Sequence, residues 1–406
     1  MNDLAFQFDP LPLLEIRCAP TIVAIPAMNE ADRIRTCLAA LATQRDRYGC
    51  PLAPGSFEIV VLVNNCTDDT ADVAAAMSQV SPHPIRVVSE TLRAEQANAG
   101  GARKRAMDIA ADRLVQGGCR DGLILTTDAD SVVSPTWIDA TRRAIDDGAD
   151  GVAGYIDAQP DELMRLGRQF IERGRLEDRY LSAVAEIYAL CDPRAHDPWP
   201  NHRVSSGASL AVTLDAYLAI GGLPAKPVGE DAALTAALEK AGFRVRHSLE
   251  VCVSTSCRFD GRARGGAADT MRLRHEALDA PCDEDLEPAL AITRRALLKG
   301  WLRRLDEEGR LSRLEWARRV GLSPSEAEGI WERCRGGGFE DFWALIGEAS
   351  PKLRARNTLR PADLPRQIQR AALCLRALRK QPPSNSGKDD PTGIPDHATH
   401  AALEDA

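Results

Sequence analysis

Leu123-Ile124-Leu125-Thr126-Thr127-Asp128-Ala129-Asp130-Ser131 decides how this chain is read. The apolar run Leu123-Ile124-Leu125 reads as a buried strand, so two carboxylates in an Asp-x-Asp arrangement land where that strand ends. Ser134-Pro135, just beyond, reads as an N-cap followed by the proline favoured at the first helical position. In an open α/β sheet, ligands bind in the crevice outside the carboxyl ends of the strands. Two hard oxygen ligands there, with room for waters and phosphate oxygens, suit Mg2+ or Mn2+ carrying a diphosphate. Alone, an Asp-x-Asp is usually a pair of carboxylates capping a turn, so its neighbours carry the weight.

Outward from this stretch the chain alternates strand and helix. Thr21-Ile22-Val23-Ala24-Ile25 reads as a first strand ended by Pro26, and 30–43 as a helix with Ile34, Leu38 and Leu41 on one face. A second strand is expected at 58–63, a helix capped by Thr67-Asp68-Asp69, a third strand at 85–88 and a helix at about 101–115. The Asp-x-Asp strand is then the fourth. This rhythm predicts βαβ units and a mostly parallel sheet. After Gly151-Val152-Ala153-Gly154 it breaks into one long helix over about 161–190. A returning strand (206–212), a helix opened by Gly229-Glu230-Asp231 and a last strand (243–255) follow. Beyond about 276 the chain reads as helical and rich in Arg, Leu and Trp, and 381–406 has the composition of a disordered tail.

The 406 residues allow two or three domains, and 44% apolar content fits a globular protein. A net charge of −8 argues against nucleic-acid binding. Eleven cysteines without a C-x-x-C pair read as reduced thiols. No signal peptide is expected in the first twenty residues, and no apolar run approaches membrane-spanning length. A cytoplasmic protein is therefore expected, with peripheral membrane contact through the arginine-rich C-terminal helices as a further option.

Four segments, in order, give the motif a family. Pro26-Ala27-Met28-Asn29-Glu30, Asn64-Asn65-Cys66-Thr67-Asp68-Asp69, Asn98-Ala99-Gly100-Gly101-Ala102-Arg103 and Asp128-Ala129-Asp130 together resemble family 2 glycosyltransferases of GT-A fold. Such enzymes move a sugar from a nucleotide-sugar donor to an acceptor. The resemblance implies a GT-A, Rossmann-like, mostly parallel α/β sheet over 19–275. A short extension (1–18) would precede it, and a small helical domain (276–380) and the tail would follow.

It further implies that Pro26, Ala27, Asn29, Glu30, Asn64, Gly101, Arg103, Asp128 and Ala129 meet the nucleotide sugar. Asp128 and Asp130 would hold Mg2+ or Mn2+. Gly101, at a helix start, would offer a backbone N–H to an anion, and Arg103 a charge. Where the family has an acidic reader of the nucleobase, this chain has Asn64, an amide that both donates and accepts. Asp68 is left to cap its helix. Glu230-Asp231 matches the family's Glu-Asp pair, in which the Asp is the general base of inverting members. The N-terminus of a helix favours negative charge there.

Many relatives have a metal-binding histidine after the last strand; here His247 lies early in it and Ser256-Cys257-Arg258 stands near its end. The basic run 256–266 reads either as a lid over the leaving diphosphate or as a solvated loop. His202 is a weaker candidate for contact with the acceptor, which is an unidentified glycan, lipid or small molecule. A sugar-phosphate nucleotidyltransferase is the rival enzyme, but it calls for a glycine-rich basic loop after the first strand. A non-catalytic scaffold of the same fold is the other alternative, against which both acidic motifs speak.

Overall fold

The computed structural model describes residues 19–380, apart from 262–264, 284, 313–314 and 355–357. The expected N-terminal extension, the tail, Arg262 and Arg264 lie outside the described residues. The sheet is built from β1 (Thr21–Ala27), β2 (Glu58–Asn64), β3 (Ile85–Glu90), β4 (Leu123–Thr126), β5 (Val132–Val133), β6 (Gly151–Ala158), β7 (Leu210–Thr213) and β8 (Val245–Thr255). Their order across the sheet is β3-β2-β1-β4-β7-β6-β8-β5. β1, β2, β3 and β4 are parallel, β7 runs against β4 and β6, β8 is parallel to β6, and β5 is antiparallel to β8. The carboxyl ends of β1, β2, β4 and β8 therefore share one edge with the amino end of β7.

The central strands are continuous apolar runs because both their faces are covered. Val23, Ile25, Ile59 and Val61 enter one core under α1 (Ile34–Ala42), α2 (Thr70–Ser78) and, further along the chain, Trp137 and Ile138; Ile22, Ala24, Val60 and Leu62 enter the other, under α3 (Ala99–Gln116). α4 (Trp137–Asp146), α5 (Pro160–Arg165), α6 (Arg168–Cys191), α7 (Leu214–Ala219), α8 (Glu230–Lys240) and α9 (Ala267–Glu276) complete this part. The mixed α/β sheet flanked by helices is the expected fold class.

Several boundaries differ from the sequence reading. β1 runs through Pro26, which lies beyond the last β1–β4 pair, Ala24 with Thr126, where one side of the strand has no ladder. Ser134 does not cap α4: its carbonyl accepts from the Trp137 N–H at 3.1 Å, and its buried hydroxyl has no partner. The single helix expected at 161–190 is two, α5 and α6, separated at Gly167 with φ of 85°. The rhythm break read after 154 is instead the strand β6. Glycine hides it: a Cβ at Gly154 would overlap Ser209 and the Val251 carbonyl, so the close approach of β8 and the β7 loop excludes a side chain.

After 276 the chain is helical, with α10 (Ala289–Glu307), α11 (Glu315–Val320), α12 (Pro324–Arg333), α13 (Phe339–Ala349), α14 (Pro351–Arg354) and α15 (Leu364–Leu378). Trp301, Trp316 and Phe342 are buried in one cluster, with Trp331, Phe339 and Trp343 packed against it. A second cluster joins α6 to α10 and α15 through Tyr180, Val184, Ile187, Leu286, Ile292 and Ala371. Arg303 bonds both oxygens of Asp192 at 2.5 and 2.9 Å and reaches Glu340 at 2.6 Å, tying the end of α6 to α10 and α13. Burial opposes the Glu340 charge, but Lys299 and Arg303 overcome it and hold the carboxyl down at about 2. Stability from this group is therefore complete above the ordinary glutamate range, near 4.5, and lost as pH falls toward 2. A Glu340→Gln protein is expected to melt at lower temperature than the parent at pH 7, with the difference shrinking at pH 3. Among the described residues no helix is long and apolar enough to cross a membrane.

Candidate active site

The shared edge opens into a cleft of about 440 Å³. Its floor comes from the ends of β1 (Pro26, Ala27, Glu30), β2 (Asn64) and β4 (Asp128, Ala129, Asp130). Its far wall comes from the loop before β7 (Ser206, Gly207) and the start of α8 (Glu230, Asp231). Arg258, after β8, and the first turn of α9 cover it. Sheet order explains the assembly: segments more than a hundred residues apart end on the same edge.

The loops after β1 and β2 are stitched together. The Asn29 side chain accepts from the Thr67 N–H at 2.8 Å, and Asn29 N–H donates to Cys66 Sγ at 3.1 Å. Asn29 (φ 55°) sits in the left-handed region that Asn tolerates better than most residues. Asp68 accepts from Thr70 N–H at 3.1 Å and from Ala31 N–H at 3.1 Å, so it starts α2 and steadies the neighbouring loop. Asn29 is thus a loop fastener outside the cleft lining. Asn64 does face the cleft; it is 2% exposed, and its Oδ1 has no hydrogen-bond partner. A buried amide oxygen left unpaired costs about 1–3 kcal/mol, which an incoming N–H donor relieves.

Gly101 is also outside the lining. Its N–H donates to the Asn98 side chain at 2.9 Å, the N-cap of α3, and is not available to an anion. Arg103, expected to meet the donor's charge, is instead consumed within the protein. Its Nη2 donates to Asp128 at 2.7 Å, Nε to Glu230 at 3.0 Å, and Nη1 to Thr126 Oγ1 at 3.1 Å and the Gly207 carbonyl at 2.7 Å. Burial works against this cation, but Asp128 and Glu230 outweigh it and keep it firmly protonated. A Cβ on Gly207 would lie inside the guanidinium, so glycine there is a condition of the bridge. Sequence reasoning missed this role because a side chain's reach across three segments leaves no local pattern.

Glu230, expected among the catalytic pair, is 5% exposed and paired with Arg103. Asp231 is half-buried at the cleft wall; its Oδ2 accepts from Gly207 N–H at 3.0 Å and its Oδ1 from Ala232 N–H at 2.7 Å. Across the cleft, Arg258 forks onto Glu30, with one bond at 2.9 Å, and also meets Asp130 at 3.0 Å. Burial raises the Asp130 carboxyl to about 6, Asp128 adds to the rise, and Arg258 partly offsets it. His247 pairs with Asp197 at 3.0 Å and stacks edge-on against His202, which burial and His247 push down to about 4. Neither histidine lines the cleft.

Among the described residues no group of three or more acidic, His or Cys side chains is arranged to hold a metal unaided. Asp128 and Asp130 nonetheless fit a cation that arrives with a diphosphate, since Mg2+ and Mn2+ commonly take one or two carboxylates and complete their shell with water and phosphate. The charge balance points the same way. Among the described residues five carboxyl groups line the cleft (Glu30, Asp128, Asp130, Glu230, Asp231) against two guanidiniums, Arg103 and Arg258, and a diphosphate would add to that negative excess.

Residues 22–189 match the model of Glycosyl transferase family 2. No protein of curated function matches the chain in sequence. Similar solved structures include a mannosyltransferase from Pyrobaculum calidifontis in complex with GDP-Man and Mn2+, at 15% identity and TM-score 0.42, over 98% of this chain and 84% of that one. S. aureus TarS 1–349 with UDP is similar at 15% identity and TM-score 0.42, over 88% of this chain and 91% of that one. Mycobacterium tuberculosis glucosyl-3-phosphoglycerate synthase, with Mn2+, UDP-glucose and phosphoglyceric acid, is similar at 16% identity and TM-score 0.35, over 70% and 80%.

Proposed function

We propose that the protein, whose residues 22–189 match glycosyl transferase family 2, transfers a sugar from a nucleoside-diphosphate sugar to an acceptor hydroxyl, with inversion and with a divalent cation. The observation that carries this reading is the opposition of two acidic groups across one cleft. Asp128 and Asp130 end β4 on the side of Glu30 and Arg258, while Asp231 starts α8 on the other wall. We assign the catalytic unit to 19–275 and the helical region to 276–380.

Asn64 offers its unpaired Oδ1 to an N–H of the donor's base. Asp128 and Asp130 would hold Mg2+ or Mn2+, which when bound offsets the diphosphate charge. Asp231, fixed by the Gly207 N–H, takes the proton of the acceptor hydroxyl. The acceptor oxygen bonds to the anomeric carbon from the face opposite the diphosphate. The bond from that carbon to the phosphate oxygen breaks, and the nucleoside diphosphate leaves with the electron pair. Glu230 serves this step by holding Arg103 rather than by touching substrate.

Two tests follow directly. Asp130→Ala is expected to remove Mn2+-dependent binding of UDP and GDP while leaving the melting temperature near that of the parent; transfer that persists fully in EDTA would refute the metal. Because the Asp130 carboxyl sits at about 6, protons compete with the cation, so Mn2+ affinity should fall as pH drops below 6. Asn64→Asp replaces a group that both donates and accepts with one that only accepts. It is expected to change the ranking of UDP- against GDP-sugars in a thermal-shift series; an unchanged ranking would show that Asn64 does not read the base.

A further inference from the structure

Arg258 stands where the proposed cation and the donor's diphosphate must both be accommodated. Resting on the glycosyl-transfer reading, we propose that its guanidinium changes partners during donor loading. It is held by Glu30 and Asp130 before the donor arrives, and it turns to the diphosphate once a divalent cation occupies Asp130.

Three observations support this. The first is geometric: Arg258 bonds both carboxylate oxygens of Glu30 and also Asp130, so a cation ligated by Asp130 meets a resident positive charge about one hydrogen bond away. Like charges at that distance repel strongly in a site shielded from water. The second is mechanical. Glu162, on α5, accepts from Ser256 Oγ at 2.8 Å and from Cys257 N–H at 2.7 Å, and is itself held by Arg33 at 2.6 Å. The backbone is therefore pinned up to the residue before Arg258. Exchange needs only rotation of a long side chain that is already 20% exposed to the cleft.

The third is chemical. A guanidinium grips a phosphate with the same planar fork it presents to a carboxylate, so the change of partner conserves hydrogen bonds. Among the described residues the other guanidinium lining the cleft is Arg103, which cannot serve, being committed to Asp128, Glu230, Thr126 and Gly207. Cation and diphosphate thereby become interdependent. The cation frees Arg258, and the diphosphate gives it a new partner, so neither ligand binds well alone.

Arg258→Gln tests the exchange by calorimetry of the full chain, first with Mn2+ alone and then with UDP and GDP at saturating Mn2+. The two affinities are expected to move in opposite directions. Mn2+ alone should bind about tenfold more tightly, and the nucleotides about tenfold more weakly, the size of one lost charge-assisted contact. Arg258→Lys keeps the charge without the fork. It should leave Mn2+ affinity near that of the parent while still weakening the nucleotides, which separates the exchange from a general loss of structure. If both affinities of Arg258→Gln rise, Arg258 stays on Glu30 and the proposal fails. It fails equally if Mn2+ binding weakens or nucleotide binding is unchanged. Parent protein that binds neither nucleotide with Mn2+ would remove the glycosyl-transfer reading itself, and this exchange with it.

Discussion

Asp231→Asn protein should bind its donor as the parent does and turn over about 10²–10⁴-fold more slowly, the range supplied by a positioned general base. The side chain keeps its size and can still accept the Gly207 N–H through its amide oxygen, so the wall of the cleft should survive. What it loses is the capacity to take a proton from the acceptor, together with the local bond that the other carboxylate oxygen accepts from Ala232 N–H. Donor affinity, which in the proposed function rests with Asn64, Asp128 and Asp130 on the opposite side of the cleft, should change less than about threefold. The checks are steady-state kinetics, titration of the nucleotide, and NMR of the parent's product. An anomeric configuration matching that of the donor would remove the inverting assignment, and undiminished turnover would remove Asp231 as base.

Arg103→Met should be the most disruptive single change in the cleft. It takes the charged partner that Glu230 has among the described residues and one partner of Asp128, leaving the buried Glu230 carboxylate uncompensated. Breaking a buried pair from one side costs about 3–5 kcal/mol. The melting temperature should fall by several degrees, and Mn2+-dependent nucleotide binding should weaken as Asp128 loses its fixed position. Arg103→Lys preserves the charge but cannot meet four acceptors at once, so it should lie between the two. Gly207→Ala displaces the same guanidinium from the other side. If the bridge acts as a unit, Arg103→Lys and Gly207→Ala should combine non-additively in calorimetric unfolding. Simple addition of the two effects would separate Gly207 from Arg103.

The sequence was legible where physical rules act locally. Continuous apolar runs marked β1, β2 and β4 because parallel strands are buried on both faces. Asp128, Asp130, Glu230 and Asp231 stood out because they lie at strand ends and a helix start, where chemistry collects. The fate of Arg103 and Arg258 was not legible. Each is decided in part by residues separated from it by more than a hundred positions, Glu230 for Arg103 and Glu30 for Arg258. Gly101 misled for a related reason: a glycine at a helix start suggests open N–H groups, yet Asn98 three residues earlier had already taken that one. β6 was obscured by the glycines that let its neighbours approach.

The packing of α6 bears on how the molecule comes apart. All but the last two residues of this helix lie within the family-matched stretch, yet the apolar face carrying Tyr180, Val184 and Ile187 is covered by α10 and α15, beyond residue 288. Its last turn leads directly to Asp192, clamped by Arg303. A fragment cut at residue 275 would thus expose a hydrophobic seam on its own longest helix, and such a surface invites self-association. The sheet and the C-terminal helices should unfold as one cooperative unit. Heating should show a single calorimetric transition, and limited proteolysis should find no stable piece made of the sheet alone.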